Sequence, residues 1–326
     1  MNIEQCTFRT KEAVVRWVSY VSPTDKRERI GVVAGQHVHG LAAPGSLRDL
    51  IAQGQEATVA AAERAVSAPA EVLDIAATEL LAPISVPPST RDFMSFEAHV
   101  AASALAVGGR VDEGWYENPV FYFSNPAATV GPEADIAVAP GSNEIDYELE
   151  VAAVIGLAGS DISVEDAAKH IAGYTLLCDW SARDLQLREM RQSLGPAKGK
   201  DFATSLGPVL VTPDEIAHLR TGKGYAITMT AEVNGKPYSS GSWADIHWSF
   251  EQMVAYASRG TRLVPGDVIG SGTVGTGCIF ELARVHGQDR FPYLRPGDEV
   301  VIRADHLGEI SARIVPGAEP LPLTRL

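Results

Sequence analysis

Three carboxylates stand at alternate positions in Asp146-Tyr147-Glu148-Leu149-Glu150, directly before the apolar run 151–156. Such a run reads as a buried strand. Side chains alternate across a strand, so Asp146, Glu148 and Glu150 are expected on one face. Like charges so placed repel, and burying an unpaired carboxylate is costly. A hard divalent cation that takes oxygen ligands would relieve both, which points to Mg²⁺, Mn²⁺ or Ca²⁺. An exposed strand end with incidental acids is the other reading of the same spacing.

Other chemistry-bearing residues recur downstream and upstream. Asp179 ends the apolar stretch in Leu176-Leu177-Cys178-Asp179-Trp180-Ser181-Ala182-Arg183-Asp184-Leu185-Gln186, a place suited to a ligand or a cap. Asp184 fits a capping box begun by Ser181. Arg183 and Gln186, three apart, could offer donors to an oxyanion from one helix face. In Arg91-Asp92-Phe93-Met94-Ser95-Phe96-Glu97-Ala98-His99, the acid Asp92 precedes His99 by two helical turns, so both are expected on a similar side. The Gly/Lys-rich stretch 195–204 lacks the GxxxxGK[ST] spacing of a nucleotide loop. The Gly-rich stretch 270–277 could turn backbone N–H groups toward an anion, though tight turns also explain it. GxSxG and HExxH are both missing, which leaves serine hydrolase and zincin readings without support.

The elements that must position these residues are mostly strands. Residues 11–40 read as two or three short strands, and 47–53 and 56–66 as helices. Three prolines in 83–88 hold an extended connector, so a small N-terminal α+β domain over 1–82, a linker over 83–88 and a catalytic domain over 89–326 are expected. Beyond it, 91–107 reads as a helix and 119–124 as a strand. Ser163 starts a helix that Gly173 would stop, 174–178 is a strand, and 181–190 is a helix. Strands follow at 207–211 and 225–233, the latter closed by the hairpin pair Asn234-Gly235, and 248–257 is a helix. Two Pro-Gly-Asp segments, at 265–267 and 296–298, lead into strands.

The totals narrow the function. With 326 residues, net charge −14 and pI ≈ 5.0, the chain lacks the basic surface that nucleic acid or an anionic membrane demands. Cys6, Cys178 and Cys278 are widely separated and form no CxxC, so reduced thiols in a cytoplasmic protein are expected. Residues 1–10 contain no apolar signal core and no window could span a bilayer.

Taken together, the Asp-x-Glu-x-Glu strand and the Asp-Trp-Ser-Ala-Arg-Asp-x-Gln segment resemble the fumarylacetoacetate hydrolase family, in motif order and spacing, from residue 89 to about 310. The resemblance implies an α+β, β-rich protein with a mixed β-roll catalytic domain, acting as a homodimer. It implies a metal site of Asp92, Glu148, Glu150 and Asp179, holding Mg²⁺ or else Mn²⁺ or Ca²⁺. His99 falls on the catalytic histidine and Glu281 on the acid that orients it; Lys200 joins them as a catalytic cation. Arg183, Gln186, Thr273 and Tyr122 fall on substrate-binding positions, and Lys200 and Thr204 lie near the metal. Met94 stands where fumarylacetoacetases proper have tyrosine, and Arg110 is out of register with their second carboxylate-binding arginine. The implied reaction is hydrolysis of a C–C bond in an acylpyruvate- or fumarylacetoacetate-like acid; the alternative is a lyase or isomerase acting on a 2-oxo acid. A cation-stabilised binding module without turnover is the third reading.

Overall fold

The computed structural model describes residues 15–42, 45–106 and 108–324. Cys6 and the reading of residues 1–10 lie outside them. The fold is α+β and rich in strand, built on a twelve-stranded mixed sheet and a five-stranded one. At the middle of the large sheet, Leu149–Ile155 pairs antiparallel with Ile171–Asp179 on one side and Val268–Gly270 on the other. Val268–Gly270 then pairs parallel with Thr90–Phe93, which pairs with Phe121–Ser124. On the far side Ile171–Asp179 pairs with Thr204–Val211, and that strand pairs with Arg16–Val21, so the strands before the proline-rich stretch extend the same sheet.

Every residue of Leu149–Ile155 is buried, as expected of a strand covered on both faces. Leu149, Val151, Ala153 and Ile155 enter the larger apolar core. Ala152 and Val154 enter a second core with Leu177, Leu206, Leu210 and the helices Leu47–Ile51 and Gln55–Ser67. Glu150 has the parity of Ala152, and Asp179 that of Leu177, so both acids share the face of the smaller core at the strand ends.

Several elements differ from their sequence reading. Residues 91–93 are not helix but part of the strand Thr90–Phe93, and the helix Glu97–Ala106 starts only after it. Hydrogen bonding of Asp92 to Gly270 and Tyr122 across the sheet overrides the local helical pattern. Gly173 stops no helix; it lies inside Ile171–Asp179, where an added Cβ would meet the Val211 carbonyl oxygen at 2.6 Å. The helix expected over 181–190 spans Arg183–Met190, and Asp184 does not cap with Ser181. Instead Ser142 Oγ and the Asn143 amide donate to the Asp184 carboxylate at 2.6 and 3.0 Å. The Asn234-Gly235 hairpin forms with φ of 53° and 72°, the left-handed pair such a turn requires. Among the described residues no helix is long and apolar enough to cross a membrane.

Ile269, fully buried, sits opposite Ala153 on one side and Arg91 on the other. Ile269→Ala should lower the unfolding free energy by about 2–5 kcal/mol through lost burial and the cavity left behind. Urea denaturation reads this as a lower midpoint with an unchanged slope.

Candidate active site

The ends of four adjacent strands deliver the acids. Asp92 comes from Thr90–Phe93, Glu150 from Leu149–Ile155, and Asp179 from the last position of Ile171–Asp179. Val268–Gly270, between the first two, ends in Gly270 because nothing larger fits. An added Cβ there would lie 2.6 Å from Asp92 Oδ1 and 3.3 Å from Glu150 Oε2. The donor oxygens of Asp92, Glu150 and Asp179 lie within 4.8 Å of one another, all buried.

Glu148 is placed differently. Asp146 belongs to a separate two-residue strand, Ile145–Asp146, and Glu148 makes a lone bridge to Cys278, so the regular strand starts only at Leu149. Glu148 Oε1 accepts from Arg183 at 2.7 Å and its Oε2 accepts from Lys200 Nζ at 2.7 Å. Asp146 accepts from Arg183 Nε at 2.8 Å and from the Ile279 and Phe280 amides at 2.6 and 2.9 Å. It thereby caps the helix Ile279–His286 and anchors Arg183, away from the acid triad.

Charge in this region is unbalanced. Lys200 Nζ also reaches Asp179, and Tyr122 Oη donates to Asp179 and, at 3.2 Å, to Asp92. The Gly272 amide donates to Glu150 at 2.9 Å and to Asp92 at 3.2 Å. The Gly-rich loop therefore does present N–H groups to anions, and the anions are the protein's own. Even so, burial pushes Asp92 up to about 6 and Asp179 up to about 8, with neighbouring carboxylates adding to both. Burial and three adjacent acids hold Glu150 well above its usual range. Glu148 moves down: burial opposes its ionisation, but Lys200 and Arg183 outweigh burial. Among the described residues, Glu150 Oε1, Asp179 Oδ1 and Thr204 Oγ1 are buried without a hydrogen-bond partner. Orphaned hard oxygens beside repelling carboxylates fit a divalent cation of the Mg²⁺ or Mn²⁺ type.

A cavity of about 380 Å³ opens onto this cluster. Asp92, Tyr122, Glu148, Lys200, Arg183, Gln186, Thr273 and His99 all line it. Arg183 Nη1 donates to Gln186 Oε1 at 3.1 Å, fixing the amide. Thr273 Oγ1 donates to the Leu149 carbonyl at 3.3 Å. His99 comes not from a helix that includes Asp92 but from the first turn of Glu97–Ala106. Its Nδ1 lies 3.1 Å from Glu281 Oε2, and Glu281 Oε1 is held by the Thr276 amide at 2.8 Å. A carboxylate only accepts, so Nδ1 carries a proton, and in the neutral ring that leaves Nε2 as the acceptor. Ser103, 3.4 Å from Nε2, escaped the sequence reading, although its place one turn after His99 on a helix was a usable signal. So did the apolar wall of Phe93, Met94, Phe121, Leu187, Met190 and Phe280, which no local motif marks. Arg110 does not line the cavity.

Residues 88–315 match the model of the fumarylacetoacetate (FAA) hydrolase C-terminal family. The chain belongs to the fumarylacetoacetate hydrolase family. Among its relatives in this family, the human protein named oxaloacetate tautomerase FAHD2A, mitochondrial, is 31% identical over 273 residues, covering 83% of this chain and 80% of that one. Oxaloacetate tautomerase YisK of Bacillus subtilis is 32% identical over 281 residues, covering 83% and 87%. A crystal structure of a probable 2-hydroxyhepta-2,4-diene-1,7-dioate isomerase from Mycobacterium abscessus superposes with a TM-score of 0.72 at 28% identity, over 94% of this chain and 100% of that one. The family match begins at Pro88, the last residue of the proline-rich stretch.

The raised carboxyls give a pH signature. Unfolded, they ionise near 4; folded, Asp92 and Asp179 keep protons to about 6 and 8. The folded state then binds more protons than the unfolded one, so this contribution to stability falls as pH rises across that window. Glu148 acts oppositely, adding stability above its unfolded range and losing it in acid. Mg²⁺ or Mn²⁺ should therefore raise the melting temperature more at pH 8 than at pH 6 relative to chelator-treated protein, as read by thermal shift. Equal increments at both pH values would contradict competition between cation and protons.

Proposed function

We propose that this family member is a divalent-cation-dependent enzyme that interconverts the enol and keto forms of a small 2-oxo acid. The observation that carries the reading is one cavity lined by Asp92 of the acid cluster and by Glu148, by His99 with Glu281 behind it, and by Arg183, Gln186 and Lys200. The relatives named as oxaloacetate tautomerases support oxaloacetate as the first substrate to try.

Asp92, Glu150 and Asp179, with Glu148 beside them, would hold the cation, Mg²⁺ or Mn²⁺. When bound, the cation supplies positive charge that draws electron density from a 2-oxo group. The protein's own residues do the rest. Arg183 and Gln186 offer N–H donors to the substrate carboxylate. Lys200, kept protonated by Asp179 and Glu148 although burial opposes it, stabilises negative charge growing on the substrate oxygen. His99 Nε2 exchanges the proton with the carbon next to the 2-oxo group, while Glu281 holds the ring in the tautomer that leaves Nε2 free. The apolar wall around Met94 and Phe121 keeps bulk water from the reacting atoms.

The same His99–Glu281 pair could take a proton from water, which favours a second reading: hydrolysis of the C–C bond in an acylpyruvate-like acid. A homodimer is proposed on family grounds, to be read by light scattering.

With Mg²⁺ or Mn²⁺ supplied, decay of the ultraviolet absorbance of enol-oxaloacetate should be accelerated by the protein. His99→Asn should slow it by about 10²–10⁴-fold, the usual contribution of a positioned acid–base group. Mass spectrometry in ¹⁸O-water decides the second reading: label in the acid released from an acylpyruvate would mark hydrolysis. Absence of both tautomerisation and label would remove both readings.

A further inference from the structure

A second donor set stands beside the acid triad. His99, Cys278 and Glu281 each bring one donor atom within 4.8 Å of the others, and all three side chains are buried. The two helices that carry them pack together: His99 lies on Glu97–Ala106, while Cys278 immediately precedes Ile279–His286 and Glu281 lies in its first turn. The Cys278 side chain makes no capping hydrogen bond. The chemistry differs from that of the acids. One set is all carboxylate oxygen, suited to hard cations; the other is one imidazole nitrogen, one sulfur and one oxygen, suited to a borderline-soft ion. Around tetrahedral Zn²⁺, with bonds of roughly 2.0–2.3 Å, neighbouring ligand atoms lie about 3.3–3.7 Å apart. The observed limit of 4.8 Å is within a small side-chain adjustment of that geometry.

We propose that His99 Nδ1, Cys278 Sγ and a Glu281 carboxylate oxygen form a separate binding site for a cation of the Zn²⁺ class, and that filling it inhibits the enzyme. The fourth tetrahedral position is left to water. On binding, the thiol proton leaves to solvent and the thiolate ligates. The imidazole keeps its single proton but moves it from Nδ1 to Nε2. Nε2–H then faces the cavity, where it can no longer accept a proton. Burial holds the free Cys278 thiol well above its usual range, so without such a cation it stays a thiol. The inhibition half of this inference rests on His99 acting as the base under the proposed function; the binding half does not.

Co²⁺ serves as a spectroscopic probe for Zn²⁺. With excess Mg²⁺ present to occupy the acid triad, Co²⁺ added to the wild-type chain should produce a thiolate-to-cobalt charge-transfer band in the near ultraviolet. Cys278→Ala should abolish the band. In the tautomerisation assay at saturating Mg²⁺, Zn²⁺ should inhibit the wild type, and Cys278→Ala should need at least about tenfold more Zn²⁺ while keeping its Mg²⁺-supported rate. Cys278→Ser, which retains the side-chain size, repeats the comparison should Cys278→Ala melt early. No band in the wild type, or an equal band in both cysteine variants, overturns the site. A band without any tautomerase activity leaves the site standing and removes the proposed function instead.

Discussion

Five carboxylates, Asp92, Asp146, Glu148, Glu150 and Asp179, are buried around only two cations, Arg183 and Lys200. Burial weakens hydration of each charge, and proximity makes the charges repel. The fold answers in two ways. Asp146 and Glu148 are matched by Arg183, Lys200 and the amides of a helix start. Asp92, Glu150 and Asp179 are matched incompletely, by Lys200, the Tyr122 hydroxyl and one loop amide. That incompletely matched set of acids is what makes the cavity chemically distinctive, since structural burial alone would favour apolar side chains at these positions.

The sheet makes the concentration of charge possible. Pairing of four neighbouring strands places their ends side by side at a spacing of about 5 Å per strand, close enough for carboxylates to share one ion. The two apolar cores on either face keep those ends from shifting, and Gly270 keeps the gap between Asp92 and Glu150 open. His99 and Glu281 come from elements outside this set, the helices Glu97–Ala106 and Ile279–His286, which pack against each other. Short connections tie them to the acid cluster: three residues separate Thr90–Phe93 from Glu97–Ala106, and Cys278, just before the second helix, bridges Glu148 through its backbone. Cys278 also stands beside the pair.

Much of this could be read in the chain. Chemical type was legible where motifs were dense: the acids of 146–150 and the stretch 179–186 supply Glu150 and Asp179 to the buried acid cluster and Arg183 and Gln186 to the cavity wall. The hairpin at Asn234-Gly235 was legible because its left-handed turn requires those residues. Local patterning misled where partners distant in sequence decide the conformation. Residues 91–93 looked helical but are strand, since pairing with Val268–Gly270 and Phe121–Ser124 satisfies their backbone better. Asp184 looked like a cap for its own helix but holds the loop at Ser142-Asn143.

The order of residues by itself determined which side chains were available: an excess of acids, a few cations near them, a histidine with an acid to orient it. Only the tertiary structure decided their division of labour. It set Asp146 to brace Arg183, turned Glu148 toward two cations, left oxygens of Glu150 and Asp179 unpaired, and brought Cys278 beside His99. Such assignments depend on separations of a few ångströms between residues from 35 to 182 positions apart, and electrostatic energy at that range changes steeply with distances no local pattern encodes.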